Sequence, residues 1–271
     1  MRFAEVLSRC VLGSTGYLES AADLARLRQV IELNLPVLRR FPNLVVATNY
    51  GPDDAASLRQ ANAELWRQHV PTAVLLDSPG NRGHSIGTAD LDNLLFDWCR
   101  AHGAEWLCKT ANDVVLRQSI FDIEVARAQF YYLNAVSYDA LAERDFDLTL
   151  FGGSFFYPQD TFWALAVGSM DTLVDKDFLD ASWRLVSAIP DYNGRIWEHL
   201  PGWSCEYLLR RAVERNGLTA CSLLTPGQWR RVLDLTIERR LTDCSLKGIE
   251  VNGICHVQGL ADPAEPLAVV R

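Results

Sequence analysis

Apolar runs of about four residues alternate with apolar positions spaced three and four apart along the first part of the chain. That is the pattern of strands alternating with helices. Cys10-Val11-Leu12-Gly13 predicts a strand running into a turn at Ser14-Thr15-Gly16, and Leu24, Leu27, Ile31, Leu35 and Leu38 then mark one stripe of a helix. Leu44-Val45-Val46-Ala47 predicts a second strand ending at Thr48-Asn49-Tyr50-Gly51, after which Pro52-Asp53-Asp54 suits a helix start. The third strand, Ala73-Val74-Leu75-Leu76, breaks at Asp77 to Gly83, and Ile86, Leu91, Leu94, Leu95 and Trp98 mark the next helix. A fourth strand, Glu105-Trp106-Leu107-Cys108, leads into Lys109-Thr110-Ala111-Asn112-Asp113-Val114.

Repeated strand–helix–strand units predict an α/β fold with a mainly parallel, Rossmann-like sheet flanked by helices. In such sheets ligands bind beyond the carboxyl ends of the strands, so the polar segments after each strand are expected to gather on one rim. Past Asp113 the alternation weakens and aromatics accumulate, as in Phe151-Gly152-Gly153-Ser154-Phe155-Phe156-Tyr157 and Phe162-Trp163. This half is expected to form a second, acceptor-facing side of the cleft from shorter or antiparallel strands. Residues 260–271, with two prolines and little periodicity, read as a tail.

Composition narrows the partners. The 271 residues carry 34 acidic and 26 basic side chains, a formal net charge of −8, which argues against a general nucleic-acid-binding surface. No apolar run is long enough to span a bilayer, and the first residues lack a signal peptide's apolar stretch, so a cytoplasmic protein is expected. Seven cysteines without a Cys-x-x-Cys pair read as reduced, mostly buried thiols. The run around Arg230-Arg231 and Arg239-Arg240 reads as the wet face of a helix with Trp229 inward, and secondarily as an acceptor-phosphate or peripheral membrane contact.

The string Val11-Leu12-Gly13-Ser14-Thr15-Gly16 looks like the opening of a nicotinamide-dependent reductase. However, the third glycine is replaced by Glu19, no acid ends the second strand, and no Tyr-x-x-x-Lys pair follows. A different set of residues is spread along the chain: Asn81-Arg82-Gly83 before a helix, Lys109 to Val114 at a strand end, Gly202-Trp203-Ser204-Cys205-Glu206-Tyr207-Leu208-Leu209, and the late Cys255-His256.

In order and spacing, over roughly residues 9 to 257, this set resembles the nucleotide-sugar glycosyltransferases of the GT-A fold, especially the large inverting group. Lys-Thr-Ala-Asn-Asp-Val looks like a degenerate Lys-Thr-Asp-Asp-Asp-Val form of the Asp-x-Asp motif, with Ala111 in the first acidic position. The resemblance implies that Asp113, with His256, holds a divalent metal (manganese or magnesium) bridging the donor's phosphates. It implies that Asn112 bonds ribose or phosphate, and that Glu206, following Trp203 at a helix start, is the general base for the acceptor hydroxyl. Cys205 stands where the family keeps the first acid of a pair.

The expected donor-binding set is Ser14, Thr15, Asn49, Asn81, Gly83, Lys109, Asn112 and Asp113, with Ser14, Thr15 and Asn49 on the base side and Trp203 on the acceptor side. Arg82 or His84 could face a phosphate, and Asp160 or Asp191 could replace Glu206 as base. The whole reads as one glycosyltransferase domain over 1–259, with a nucleotide-sugar half at about 9–115 and an acceptor half at 116–259. Its expected partners are a nucleotide-sugar and a glycan or other hydroxyl-bearing acceptor. The alternatives are a GT-A-like binding protein that has lost catalysis, which Ala111 and Cys205 favour, and the reductase.

Overall fold

In the computed structural model the residues described are 1–51, 55–78, 80–134, 158–190, 192, 196, 204–238 and 246–270. Pro52-Asp53-Asp54, the aromatic stretch 151–157, Asp191, Trp203, Arg239-Arg240 and Cys244 lie outside them.

The strands are β1 (Cys10–Leu18), β2 (Asn43–Tyr50), β3 (Val74–Asp77), β4 (Trp106–Ala111), β5 (Val114–Leu116), β6 (Phe130–Asn134), β7 (Pro158–Ala166), β8 (Ala220–Ser222), β9 (Ile249–Val251), β10 (Ile254–His256) and β11 (Ala268–Val270). The helices are α1 (Phe3–Leu7), α2 (Ala21–Leu38), α3 (Ala55–His69), α4 (His84–Ala101), α5 (Lys176–Val186), α6 (Cys205–Arg215) and α7 (Pro226–Glu238).

The main sheet has the order β3-β2-β1-β4-β7-β6-β8. The pairings β1 with β2, β1 with β4, β2 with β3 and β6 with β8 are parallel, whereas β7 runs antiparallel to both β4 and β6. This is the expected α/β class: a mainly parallel sheet covered by helices, with the antiparallel element in the second half. Two buried apolar layers follow from strand alternation. Leu12, Cys108, Phe162 and Ala164 lie with α2 and α7, while Val11, Leu107, Trp163 and Leu165 lie with α4 and α6.

Strands β1, β2 and β4 run further than the apolar pattern indicates. Ser14, Thr15 and Gly16 continue β1 instead of turning, and Thr48-Asn49-Tyr50 and Lys109-Thr110-Ala111 are likewise strand. The two glycines of β1 are explained by close approach: a Cβ on Gly13 would lie 2.7 Å from Leu95 of α4, and one on Gly16 would lie 2.3 Å from the Asn112 amide. Helix α2 begins at a capping box, in which Ser20 accepts from the Asp23 amide and Asp23 accepts from the Ser20 amide. No glycine turn joins β1 to α2, so the dinucleotide-binding reading of this string is ruled out.

A second, four-stranded sheet, β11-β9-β10-β5, packs against α2. The stretch read as a tail ends in β11, parallel to β9. The junction is held by Asn34 of α2, whose buried amide donates to the Val114 carbonyl at 2.8 Å and accepts from the Leu116 amide at 2.7 Å. The side chain thus does for β5 what another strand would do. Asn93 of α4 makes the same pair of bonds to Val174, at 2.8 and 2.9 Å.

Trp229 is buried, as its place on α7 predicts, and the cysteines among the described residues are free thiols. Replacing Asn34 with Ala orphans a buried carbonyl and a buried amide, each costing about 1–3 kcal/mol. Asn34→Ala is therefore expected to lower unfolding stability by roughly 2–4 kcal/mol, as read by urea denaturation with an unchanged m-value.

Candidate functional site

The carboxyl ends of β1, β2, β3 and β4 face one rim because these strands are parallel. At that rim β4 gives way to Asn112 and Asp113 before β5 begins. The Asn112 amide donates to the Thr15 carbonyl at 2.7 Å, and its side chain lies against Gly16. Strand β10 pairs with β5 so that His256 faces Val114, and the Val257 amide donates to the Asp113 carbonyl at 2.8 Å. That register sets His256 Nε2 3.0 Å from Asp113 Oδ2, with the imidazole 8% exposed. Burial alone would raise the Asp113 carboxyl, but the neighbouring imidazole, its hydrogen bond and the Lys109 charge outweigh it and hold Asp113 below the usual range.

One carboxylate oxygen and one imidazole nitrogen are donor types that manganese accepts; here the two are joined to each other by a hydrogen bond. Among the described residues no third His, Cys, Asp or Glu joins them, so the remaining ligands would have to come from outside this pair.

Lys109 does not reach the rim. It is fully buried, and its Nζ contacts the Asp160 carboxylate at 3.0 Å, the Asp160 backbone carbonyl, and Asp92 Oδ1 at 3.6 Å. Two buried carboxyls beside one ammonium do not both ionise. Asp92, on α4, is pushed well up by burial and by Asp160; Asp160, on β7, is held down despite its burial because Lys109 faces it directly. Lys109 itself is held above its ordinary range: burial opposes its charge, but the two aspartates outweigh burial.

Helix α6 brings Glu206 to the same cluster. Ser204 caps it, its hydroxyl accepting from the Tyr207 amide at 3.1 Å, and this fixes Cys205 and Glu206 in the first turn. Glu206 is half-buried, and its carboxyl is raised by burial first and by Asp160 second. Cys205 is buried, and its thiol is pushed well up by burial and by Glu206, so it stays neutral. Lys109 contacts Asp160 and Asp92 directly, and its charge also lowers the Asp113 and Glu206 carboxyls as the smallest of the influences on each.

Among the remaining sequence candidates, His84 lies close enough to act on Asp160, and the Thr15 carbonyl is bonded to the Asn112 amide. Ser14 faces α2, beside Asn34 and Trp66, and Thr15 is buried. Asn49 is buried and donates to the Gly87 carbonyl at 3.2 Å. Asn81 accepts from the Gly83 amide at 3.0 Å, and Gly83, at φ 83°, begins α4. Arg82 is engaged by Asp90 and Asp180. Trp203 lies outside the described residues. Asp92 escaped the sequence reading, though a signal was there: an acid between Ala89 and Leu95, in phase with the buried face of α4.

No protein-family model matches the chain, and no curated protein matches it either. Among solved structures it is similar to the galactosyltransferase LgtC in complex with donor and acceptor sugar analogs, at 10% identity and a TM-score of 0.47, over 93% of this chain and 88% of that one. It is also similar to a nucleoside-diphosphate-sugar pyrophosphorylase from Vibrio cholerae RC9, at 10% identity and a TM-score of 0.39, over 78% and 91%. S. aureus TarS, residues 1–349, matches at 11% identity and a TM-score of 0.35, over 58% of this chain and 48% of that one. The topology itself is that of a mainly parallel α/β sheet covered by helices, and the residues of the site stand on their own geometry.

If Lys109 is an internal countercharge, its removal strands an ionised aspartate. Lys109→Met is expected to cost about 3–5 kcal/mol of stability, measured by denaturant unfolding, whereas a lysine acting only at the rim would be nearly neutral to stability.

Proposed function

We propose that this chain is a glycosyltransferase that moves a sugar from a nucleoside-diphosphate-sugar to an acceptor hydroxyl, with inversion. The observation that carries the reading is the Asp113–His256 pair just beyond β4, with a half-buried Glu206 in the first turn of α6. A diphosphate-sugar needs its phosphate charge compensated at one end and a proton acceptor for the incoming hydroxyl at the other.

Asp113 and His256 would hold the divalent cation, manganese or magnesium, which when bound neutralises charge on the departing diphosphate. Asn112, placed beside them, would bond ribose or phosphate. Glu206 would take the acceptor's proton, and its raised carboxyl makes it a stronger base than an ordinary surface glutamate. The hexosyl type of donor, the place of Trp203 against the acceptor and a cytoplasmic setting belong to the same proposal. Among the described residues no helix is long and apolar enough to cross a membrane.

A second reading, a GT-A-like binding protein without turnover, draws on Ala111 and Cys205. Neither supplies charge at a position where the resembling enzymes keep an acid. Binding separates neither reading from the other, but turnover does.

Thermal-shift titration with UDP-, GDP- and dTDP-sugars, with and without manganese, tests the donor class. A true donor at a hundred times its Kd stabilises by about 2.7 kcal/mol, and here that gain is expected to depend on manganese; absence of any response across the panel counts against the reading. With the donor found, Glu206→Gln should cut turnover by about 10²–10⁴-fold while donor affinity in calorimetry stays within error. Loss of both together would mark Glu206 as structural.

A further inference from the structure

Helix α2 sends two polar side chains across to the second sheet. Asn34 fastens β5, the strand that follows Asp113. Arg26, about two helical turns earlier, reaches the chain that follows His256.

Past β10 the chain turns at once. The Leu260 amide donates to the Val257 carbonyl at 3.1 Å, closing a four-residue turn, and Gly259 in its third position has φ 78°, which glycine adopts without strain. Arg26 holds this turn with both terminal nitrogens: Nη1 donates to the Leu260 carbonyl at 2.8 Å, and Nη2 donates to the Val257 carbonyl. The guanidinium is planar and stiff, so two bonds made at once set the spacing of the two carbonyls and the orientation of the turn. Its third donor, Nε, is buried without a hydrogen-bond partner among the described residues, so those two bonds fix the group.

The turn held in this way adjoins the Asp113–His256 pair. Val257 is fully buried, and while its carbonyl accepts from Arg26, its amide donates to the Asp113 carbonyl at 2.8 Å. His256, the residue before it, pairs with Val114, the residue after Asp113, and meets the Asp113 carboxylate at 3.0 Å. Strands β5 and β10 have three residues each, so their ladder alone is a weak hold on this register.

We propose that Arg26 is a positioning residue for the cation pair: by fixing the turn from Val257 to Leu260 it keeps the His256 imidazole against Asp113, and cation affinity depends on a side chain outside the donor set. The inference rests on the glycosyltransferase reading for the cation. The hold on Val257 stands without it, and the two are measured separately.

An arginine that only fastened α2 to the sheet would act through overall stability. Arg117 supplies the comparison, because it also ties the second sheet together, but through the Ala264 carbonyl at 3.0 Å and Glu250 at 3.5 Å. The test compares Arg26→Met, Arg26→Lys and Arg117→Met in the full chain. The first readout needs no metal: amide hydrogen exchange by NMR at Val257, set against Leu107 and Cys108 of β4. In Arg26→Met the Val257 amide is expected to exchange at least about tenfold faster, beyond any change at Leu107 and Cys108. In Arg117→Met it should change no more than they do. The second readout is calorimetry with manganese alone, since losing a group that orients a ligand weakens metal binding by about 10–100-fold. Arg26→Met is expected to raise the manganese Kd by that factor, Arg26→Lys, which keeps the charge but not the fork, by less, and Arg117→Met not at all.

Val257 exchange that merely tracks β4 overturns the proposal, as does a manganese Kd that is unchanged in folded Arg26→Met or raised equally in Arg117→Met. If Arg26→Met does not fold, Arg26→Lys decides, and wild-type behaviour in both readouts overturns the proposal. If the wild-type protein binds no manganese, the cation reading of Asp113 and His256 fails and takes the affinity half of the proposal with it, whereas faster Val257 exchange in Arg26→Met still supports the hold on the turn.

Discussion

An ammonium group with no exposure to water has to be compensated inside the protein, and Lys109 is compensated by chain segments that are distant in sequence. It leaves β4 in the middle of the main sheet and meets Asp160 from β7 and Asp92 from α4. Each of these elements is thereby held in register with the others, because a shift of one residue along β4 would turn the lysine to the opposite face and leave a charge buried alone. The antiparallel placement of β7 next to β4 is what lets Asp160 reach it. The cluster balances when one aspartate is ionised and one is protonated, and the ionised one is Asp160, which bears on Glu206.

From this centre the site extends in two directions. Toward the rim, the turn after β4 presents Asp113, and the small second sheet returns the chain so that His256 sits against it. Toward α6, a serine cap fixes the first helical turn, and with it Glu206. One end lies where the two sheets meet and the other on a helix. Their relation is kept by buried polar side chains that act as backbone: Asn34 fastens α2 to β5, and Asn93 fastens α4 to the segment entering α5. Closely packed glycines allow the rest, since Gly13 admits Leu95 and Gly16 admits the Asn112 side chain.

Much of this was legible from the sequence. The three strand–helix units at the start and the fourth strand were visible because burial imposes a period on their apolar residues, and the order of the motifs singled out Asp113, His256 and Glu206. The strand ends were not visible. Ser14, Thr15, Asn49 and Lys109 are polar, and polar residues after an apolar run read as turns; in the fold they are buried in strands. The partners that make this possible for Asn49 and Lys109, Gly87 and Asp160, lie 38 and 51 residues away. Strands β5, β9, β10 and β11 are three residues each, too short for any period to show. Lys109 read as a phosphate ligand for the same reason: nothing local announces an internal salt bridge.

Asp113 and His256 are proposed to gather the donor's diphosphate, with Glu206 as the base. The most direct measurement is a crystal structure of the chain with manganese and UDP, repeated with GDP and dTDP. The expected result is anomalous manganese density within ligand distance of Asp113 Oδ2 and His256 Nε2, with the diphosphate on the same ion. Nucleotide bound elsewhere would contradict it, for example in the cavity at the opposite, amino-terminal ends of the strands lined by Arg9, Asn43, Trp98 and His102, as would manganese density away from both side chains.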